Sequence, residues 1–182
     1  MTLTLLTGGA RSGKSSVAVR RALRAEQEDG EREGRPVVFV ATGQAGDEEM
    51  AARIALHQAE RPAHWSTLEA PIDLDEAVAS IEPGRTVIID CLALWVSNLM
   101  GAGEDEPATL ARAQALGRWA AAYRGAVIVV TNEVGSGIVP MHPVSRDYRD
   151  RLGRVNALIS SRADLAQLVV AGRTLTLDPI EE

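Results

Sequence analysis

The residue types with the clearest chemistry stand together near the N-terminus, in the segment GGARSGKS at residues 8–15. The segment matches the pattern G-x-x-x-x-G-K-[ST] at every required position, between a strand-like and a helix-like segment. Its glycines admit unusual backbone angles, and its N–H groups at a helix N-terminus favour an anion. Lys14, the only lysine in the chain, is expected to contact the β- and γ-phosphates of a nucleotide, and Ser15 to bind Mg²⁺. The nucleotide-binding residues predicted here are Gly8, Gly9, Ala10, Arg11, Ser12, Gly13, Lys14 and Ser15.

A nucleotide held by such a loop normally needs a second acid, on a neighbouring strand, to hold the metal through water. Asp90 is the first candidate because it ends the buried run TVIID, and Glu133, after VIVVT, is the second. Acids at the carboxyl ends of parallel strands lie at the sheet edge where ligands bind. The alternative for Asp90 is an acid that only caps a helix or ends a strand.

Strand-like and helix-like segments alternate along the whole chain, which predicts an α/β fold with a mainly parallel sheet covered on both faces. Together with the loop at residues 8–15, this pattern favours a P-loop NTPase-like three-layer sandwich, with residues 1–182 forming a single domain. Strands are predicted over residues 1–7, 36–42, 65–70, 85–92 and 125–135, with one or two more within 165–177. Helices are predicted over residues 12–27, 46–62, 73–81, 94–100, 108–124 and 144–164.

Composition narrows the possible functions. A formal net charge of -6 argues against a nucleic-acid-binding surface, although a local basic pocket for an anion stays possible. No hydrophobic run approaches the roughly 20 residues needed to span a bilayer, and the N-terminus lacks the pattern of a signal peptide. The expected location is therefore the cytoplasm.

Histidine and cysteine supply no metal motif. The single cysteine, Cys91, excludes an internal disulfide, and His57, His64 and His142 match no zinc spacing. A lone histidine is more often structural than catalytic, so the pattern alone gives His57 no role.

Four segments in order carry a resemblance over nearly the whole chain: TGGARSGKS, DEEMAARIALHQAERPAHWSTLE, TNEVGSGIVP and RDRLGRVNALIS. They closely resemble the bifunctional adenosylcobinamide kinase/adenosylcobinamide-phosphate guanylyltransferase family of cobalamin biosynthesis. The loop at residues 8–15 is common to many NTPases. The spacings RI-x-x-H-x-x-x-RP-x-x-W-x-T-x-E and TNEVG-x-GIVP are far more specific.

The resemblance implies two reactions. A nucleoside triphosphate, ATP or GTP, phosphorylates a hydroxyl of adenosylcobinamide, and GTP then donates GMP to that phosphate through a histidine that carries GMP. The matching histidine is His57, preceded by Leu56 where some members have a second histidine. A neutral imidazole is a competent nucleophile near pH 7, and Lys14 would stabilise the departing pyrophosphate. Mg²⁺ as cofactor and a homotrimer are also implied.

Further nucleotide contacts follow from the same resemblance. Glu69 is a candidate for guanine recognition, because a carboxylate accepts from N–H groups that adenine lacks. Arg61, four residues after His57, is a candidate for a phosphate contact, its alternative being a surface arginine at a helix end. The matching positions are Ala41, Thr42, Gly43, Gln58, Ala59, Glu60, Arg61, Glu69 and Asp90.

Alternatives remain within and outside this family. The chain departs from it at Ala157, where members often have glutamine, and at Asp90, where some have glutamate. A member retaining only the kinase or only the guanylyltransferase step would share the same loop. A P-loop GTP-binding switch is a different class, which needs no nucleophilic histidine. The large corrinoid pocket is expected between subunits, with exposed hydrophobic residues near Trp95 and Met100.

Overall fold

The computed structural model describes residues 2–28, 37–46, 48–59 and 61–180. Within these ranges, six side chains lie outside the description: those of Glu28, Glu49, Met50, Arg53, Leu56 and His57. The strands are β1 (Thr2–Thr7), β2 (Val38–Ala41), β3 (Ser66–Glu69), β4 (Val87–Asp90), β5 (Ala126–Val130), β6 (Leu165–Val170) and β7 (Arg173–Leu177). The helices are α1 (Lys14–Glu28), α2 (Glu48–Ala59), α3 (Leu74–Ala77), α4 (Leu92–Gly101), α5 (Glu106–Ala122) and α6 (Pro143–Ser160), with a 3-10 turn at Val78–Ser80.

The strands form one sheet in the order β3-β2-β4-β5-β1-β6-β7, in which only β7 is antiparallel to its neighbour. Helices lie on both faces of this sheet, where they connect its parallel strands. Helix α1 packs on β4 and β5, and helices α4 and α5 both pack on α6. The predicted α/β architecture with a mainly parallel sheet is confirmed.

The central strands are hydrophobic because both of their faces are covered. Val87, Ile88 and Ile89 of β4 are buried, as are the last four residues of β5. The two edge strands differ from these central strands, since β3 is largely exposed and β7 is exposed along its whole length. The chain from residue 165 onwards forms two strands, β6 and β7. They make a hairpin in which β7 is an edge strand of the sheet.

The prediction of exposed hydrophobic residues near Trp95 is wrong. Helix α4 begins at Leu92, two residues earlier than predicted, and Trp95, Val96 and Leu99 are fully buried. The reason is that α4 packs against α6, while the Trp95 indole N–H donates to the carbonyl of Ile72 at 2.7 Å.

The large exposed hydrophobic side chains lie elsewhere. One group follows β5, and the other lies on the β6–β7 hairpin and the chain after it. The described ones are Ile138, Val139, Met141, Val144, Val170, Leu175, Leu177 and Ile180. In the part of the chain that the structure describes, none of the helices combines the length and hydrophobicity that crossing a bilayer needs.

Candidate nucleotide-binding site

The loop between β1 and α1 is held by close backbone packing. At Gly8 a Cβ atom would lie 2.2 Å from the carbonyl oxygen of Val169 on β6, so no other residue fits there. Gly13 has a φ of 97°, in the region that favours glycine. The Val17 N–H then donates to the Gly13 carbonyl at 3.0 Å, which starts α1 directly at the loop. The positive end of the helix dipole therefore faces the loop.

Lys14 lies inside this loop and is only 7% exposed. Its ammonium donates to the carbonyls of Gly8 and Gly9 at 2.8 and 2.7 Å and lies 3.4 Å from the Ser12 hydroxyl. The positive charge is thus concentrated within the loop, beside the half-buried Ser15. Ala10 and Arg11 are exposed at its rim. This arrangement suits a polyphosphate chain.

Three predicted contact residues share one row across the sheet. Ala41 on β2 is in register with Glu69 on β3 and with Asp90 on β4. Since neighbouring strands lie about 4.8 Å apart, Glu69 and Asp90 are separated by about 10 Å of backbone. Glu69 is exposed and Asp90 half-buried, both at the carboxyl edge of the sheet.

The sequence suggested that Asp90 lies on a strand next to β1. In the structure β5 is inserted between β4, which carries Asp90, and β1. Within the described part of the chain its carboxylate has no hydrogen-bond or ion-pair partner. Carboxylate and hydroxyl oxygens are the donors that Mg²⁺ prefers. Asp90 and Ser15 therefore fit such an ion chemically. No cluster of three acidic, histidine or cysteine side chains that could hold a metal occurs among the described residues.

Glu133, the second candidate acid, is engaged by its own loop. Its Oε1 accepts from the N–H groups of Gly135 and Ser136, at 2.5 and 2.8 Å, and from the Ser136 hydroxyl at 3.1 Å. Its N–H donates to the Gly8 carbonyl at 3.1 Å. This acid therefore shapes the loop after β5 and fastens it to the loop that contains Lys14.

The segment after β2 joins two strand ends. The Thr42 hydroxyl accepts from the Cys91 N–H and lies 2.8 Å from the Cys91 carbonyl, to which it donates. Asn98 of α4 donates to the Thr42 carbonyl at 2.8 Å. The side chain of Thr42 is thus bonded within the protein. At Gly43, a Cβ atom would lie 3.7 Å from Ile54 of α2, so this helix packs against the end of β2.

Helix α2 carries His57 near its C-terminal end, and its backbone is described there although the imidazole is not. Gln58 and Ala59 follow and are exposed, while Glu60 lies outside the described residues. Because Ile54 lies against Gly43, the helical turn before His57 lies at the carboxyl end of β2.

Arg61 is half-buried rather than a free surface side chain. Its guanidinium carbon lies 3.2 Å from the centre of the Phe39 ring, and its Nη1 is buried without a hydrogen-bond partner among the residues that the structure describes. Burial lowers the pKa of Arg61, and the nearby charge of Asp90 opposes that shift. A buried donor near Asp90 can bind an anionic oxygen of a ligand.

The remaining titratable side chains near Asp90 are not poised to act as nucleophiles. Burial, with a further effect of the Asp90 charge, raises the pKa of the Cys91 thiol to about 12. Burial and Cys91 raise the pKa of Tyr148 to about 12. Both groups are therefore protonated at neutral pH. The two histidines whose side chains are described are both exposed. His64 lies 2.9 Å from Glu26, and His142 directly precedes α6.

Asn156 is a supporting residue that the sequence reasoning missed. Its amide oxygen accepts from the Thr131 hydroxyl at 2.7 Å, and its amide nitrogen donates to the Asn132 carbonyl at 3.0 Å. The departure at Ala157 has no effect on these bonds, since that side chain is exposed. The sequence signal that could have indicated this role is a polar asparagine between the hydrophobic positions Val155 and Ile159.

Comparison with known proteins agrees with this architecture. The family model described as cobinamide kinase / cobinamide phosphate guanyltransferase matches residues 4–177. The bifunctional adenosylcobalamin biosynthesis protein CobP of Pseudomonas aeruginosa is 42% identical over 175 residues, which are 95% of each chain. The protein CobU of Salmonella typhimurium, with the same bifunctional description, is 40% identical over 183 residues, 93% of this chain and 96% of that relative.

A solved structure from Pyrococcus horikoshii OT3 shares the fold, with a TM-score of 0.53 at 10% identity over the whole of this chain and 88% of that one. Family membership rests on the family model and on the relatives at 40–42% identity. The chain belongs to the cobinamide kinase / cobinamide phosphate guanyltransferase family.

Proposed function

We propose that this enzyme uses one nucleotide site for two reactions. It phosphorylates adenosylcobinamide with ATP or GTP, and it then transfers GMP from GTP to adenosylcobinamide phosphate, which gives adenosylcobinamide-GDP. The observation that carries the proposal is the position of Lys14, enclosed by the loop at the N-terminus of α1. Asp90 and Arg61, near each other at the edge of the same sheet, support it.

In the kinase step, the substrate hydroxyl attacks the γ-phosphorus and the nucleoside diphosphate leaves. Lys14 and the N–H groups at the start of α1 are proposed to stabilise negative charge on the β- and γ-phosphate oxygens. Because Lys14 is a compact cation on a flexible stem, it can reach between two phosphates where the wide fork of arginine would not fit.

In the guanylyl step, we propose that a ring nitrogen of His57 attacks the α-phosphorus of GTP. A phosphorus–nitrogen bond forms and pyrophosphate leaves, with Lys14 stabilising its charge. An oxygen of adenosylcobinamide phosphate then attacks the same phosphorus and releases His57. The half-buried Arg61, whose Nη1 has no hydrogen-bond partner in the described part of the chain, is proposed to bind a phosphate oxygen during both attacks.

Ser15 and Asp90 are the residues proposed to hold Mg²⁺, which when bound supplies charge neutralisation at the phosphate oxygens. Glu69, exposed in the same row as Asp90, is proposed to accept hydrogen bonds from guanine. The backbone of Ala41, Thr42 and Gly43 and the segment Gln58, Ala59, Glu60 are proposed to complete the nucleotide contacts.

We also propose that a single domain in the cytoplasm carries both activities and that three copies assemble. The exposed side chains of Ile138, Val139 and Met141, close in sequence to Glu133, support a contact with another subunit or with the corrinoid. Sedimentation equilibrium measures this assembly, and a monomer at micromolar concentration would contradict it.

The proposal of one shared site is tested with Lys14→Ala and Lys14→Arg. Both products, adenosylcobinamide phosphate and adenosylcobinamide-GDP, are measured by mass spectrometry with each intermediate supplied separately. Both variants are expected to lose both activities, the arginine variant because charge alone does not restore the geometry. Full retention of either activity in Lys14→Ala would show that the two reactions do not share this loop.

A further inference from the structure

An arginine-lined cleft lies beside helix α1, outside the loop that holds Lys14. Arg20, Arg21 and Arg24 project from one face of the helix, since residues three and four apart are neighbours on a helix surface. Arg173, at the start of β7, closes the other side. The cleft has a volume of about 410 Å³ and includes no residue of the segment 8–15.

The charge in this cleft is not compensated by the residues that the structure describes. No carboxylate of a described residue lines it, and Arg20, Arg24 and Arg173 form no ion pair within the described part of the chain. Burial lowers the pKa of Arg21, and the positive charge of Arg24 lowers it further. Four guanidinium groups thus concentrate positive charge on a chain whose net charge is -6.

One of the four arginines is held in place by a buried side chain. Arg21 donates to Oε1 of Gln167, which is only 8% exposed. The Gln167 amide nitrogen donates in turn to the Thr176 hydroxyl at 3.1 Å. This chain of bonds fixes one wall of the cleft across β6 and β7, so a ligand would find that guanidinium already positioned.

The cleft also adjoins the P-loop through the hairpin that closes it. The Gly172 N–H donates to the Ser12 carbonyl at 2.9 Å, and Gly172 is itself a wall of the cleft. A ligand in the cleft therefore touches the hairpin that supports the loop around Lys14.

We propose that this cleft is a second anion site, separate from the P-loop, which binds a small molecule bearing a phosphate or pyrophosphate group. Guanidinium forks match phosphate oxygens bidentately, and four of them suit a ligand with more than one negative charge. The concave shape and size suit a small molecule, while the acidic chain as a whole disfavours a nucleic acid. This site goes beyond the proposed reactions and does not depend on them.

The test uses the Lys14→Ala protein, so that the P-loop contributes little, and titrates inorganic pyrophosphate at low ionic strength by calorimetry. Binding is expected to persist in this protein and to weaken at least about tenfold when Arg20→Gln and Arg173→Gln are added, because charge-assisted bonds are lost. Both arginines are exposed, so the fold should be kept, which circular dichroism checks.

The matched control adds Arg118→Gln and Arg124→Gln instead, which removes the same charge from exposed positions elsewhere. This control is expected to bind pyrophosphate as the Lys14→Ala protein does. Absence of binding to Lys14→Ala, or equal weakening in the control, would overturn the proposal. A parallel titration with GTP distinguishes the two possible kinds of ligand. Equal affinity for GTP and pyrophosphate indicates that the cleft binds the phosphates of a nucleotide, whereas binding of pyrophosphate alone indicates that it binds the free anion.

Discussion

The ends of β4 and β5 lie side by side at the same edge of the sheet, yet the acids at these two ends differ in the hydrogen bonds that they accept. Asp90 at the end of β4 has no hydrogen-bond partner among the described residues. Glu133, three residues after β5, accepts from Gly135 and Ser136. A carboxylate bonded by its own loop is occupied in shaping that loop, whereas an unbonded one is available to a ligand. Position at the sheet edge is therefore a weaker indicator of function than the bonds that a side chain already makes.

The largest expected effect distinguishes these two acids directly. Asp90→Asn should lower the rate of both reactions by about 100-fold or more, because the charge that we propose to complement Mg²⁺ is lost. Glu133→Gln should leave the rate as a function of Mg²⁺ concentration nearly unchanged. Steady-state rates over a range of Mg²⁺ concentrations measure both. If Glu133→Gln caused the larger loss, the assignment would have to be reversed.

Arg61 provides the next test, since the charge of Asp90 acts on it. Arg61→Ala should reduce the guanylyl rate by roughly 10- to 100-fold, because the buried donor that we propose to bind a phosphate oxygen is removed. Arg61→Lys should recover only part of the rate, as it keeps the charge but not the fork. Arg118→Ala, at an exposed position, is the control. An unimpaired Arg61→Ala enzyme would return Arg61 to a packing role on Phe39.

At the end of β5 the expected effect is on stability instead. Asn156→Ala leaves the Thr131 hydroxyl and the Asn132 carbonyl without their partner, which should cost about 1–3 kcal/mol in the free energy of unfolding. Urea denaturation measures this cost, and Gln114→Ala on the exposed face of α5 is the control. Equal stability of the two variants would mean that these bonds contribute nothing net.

The smallest effect concerns Cys91, the buried neighbour of Asp90. Its pKa is raised from 9.0 to about 12 by burial, so the folded state keeps the proton that the unfolded chain loses first. This contribution to stability is present below pH 9 and is lost as the pH rises towards 12. The free energy of unfolding should thus fall more between pH 8 and pH 10.5 in the wild type than in Cys91→Ala. Parallel pH profiles would contradict this.

Much of the fold was predictable because its elements leave local signals. Buried runs such as those of β4 and β5, and the glycine-rich loop before α1, are read from a few adjacent residues. The strand order was not, because hydrophobic periodicity identifies a strand without naming its neighbours. The insertion of β5 between β4 and β1 therefore came only with the structure.

The state of individual side chains was equally inaccessible to the sequence. The burial of Trp95 depends on the packing of α4 against α6, and the bonds of Glu133 depend on the shape of its loop. The cleft between α1 and the β6–β7 hairpin joins residues about 150 positions apart in the chain, Arg20 and Arg173 among them.

The central claim is that one nucleotide site serves both reactions and that, in the second reaction, His57 carries GMP from GTP to adenosylcobinamide phosphate. The direct measurement is incubation of the wild type and His57→Ala with α-labelled GTP and Mg²⁺, followed by denaturation and acid or alkali treatment. The wild type is expected to carry an acid-labile, alkali-stable label that transfers to added adenosylcobinamide phosphate. His57→Ala is expected to carry no label and still to phosphorylate adenosylcobinamide. Normal labelling of His57→Ala would contradict it.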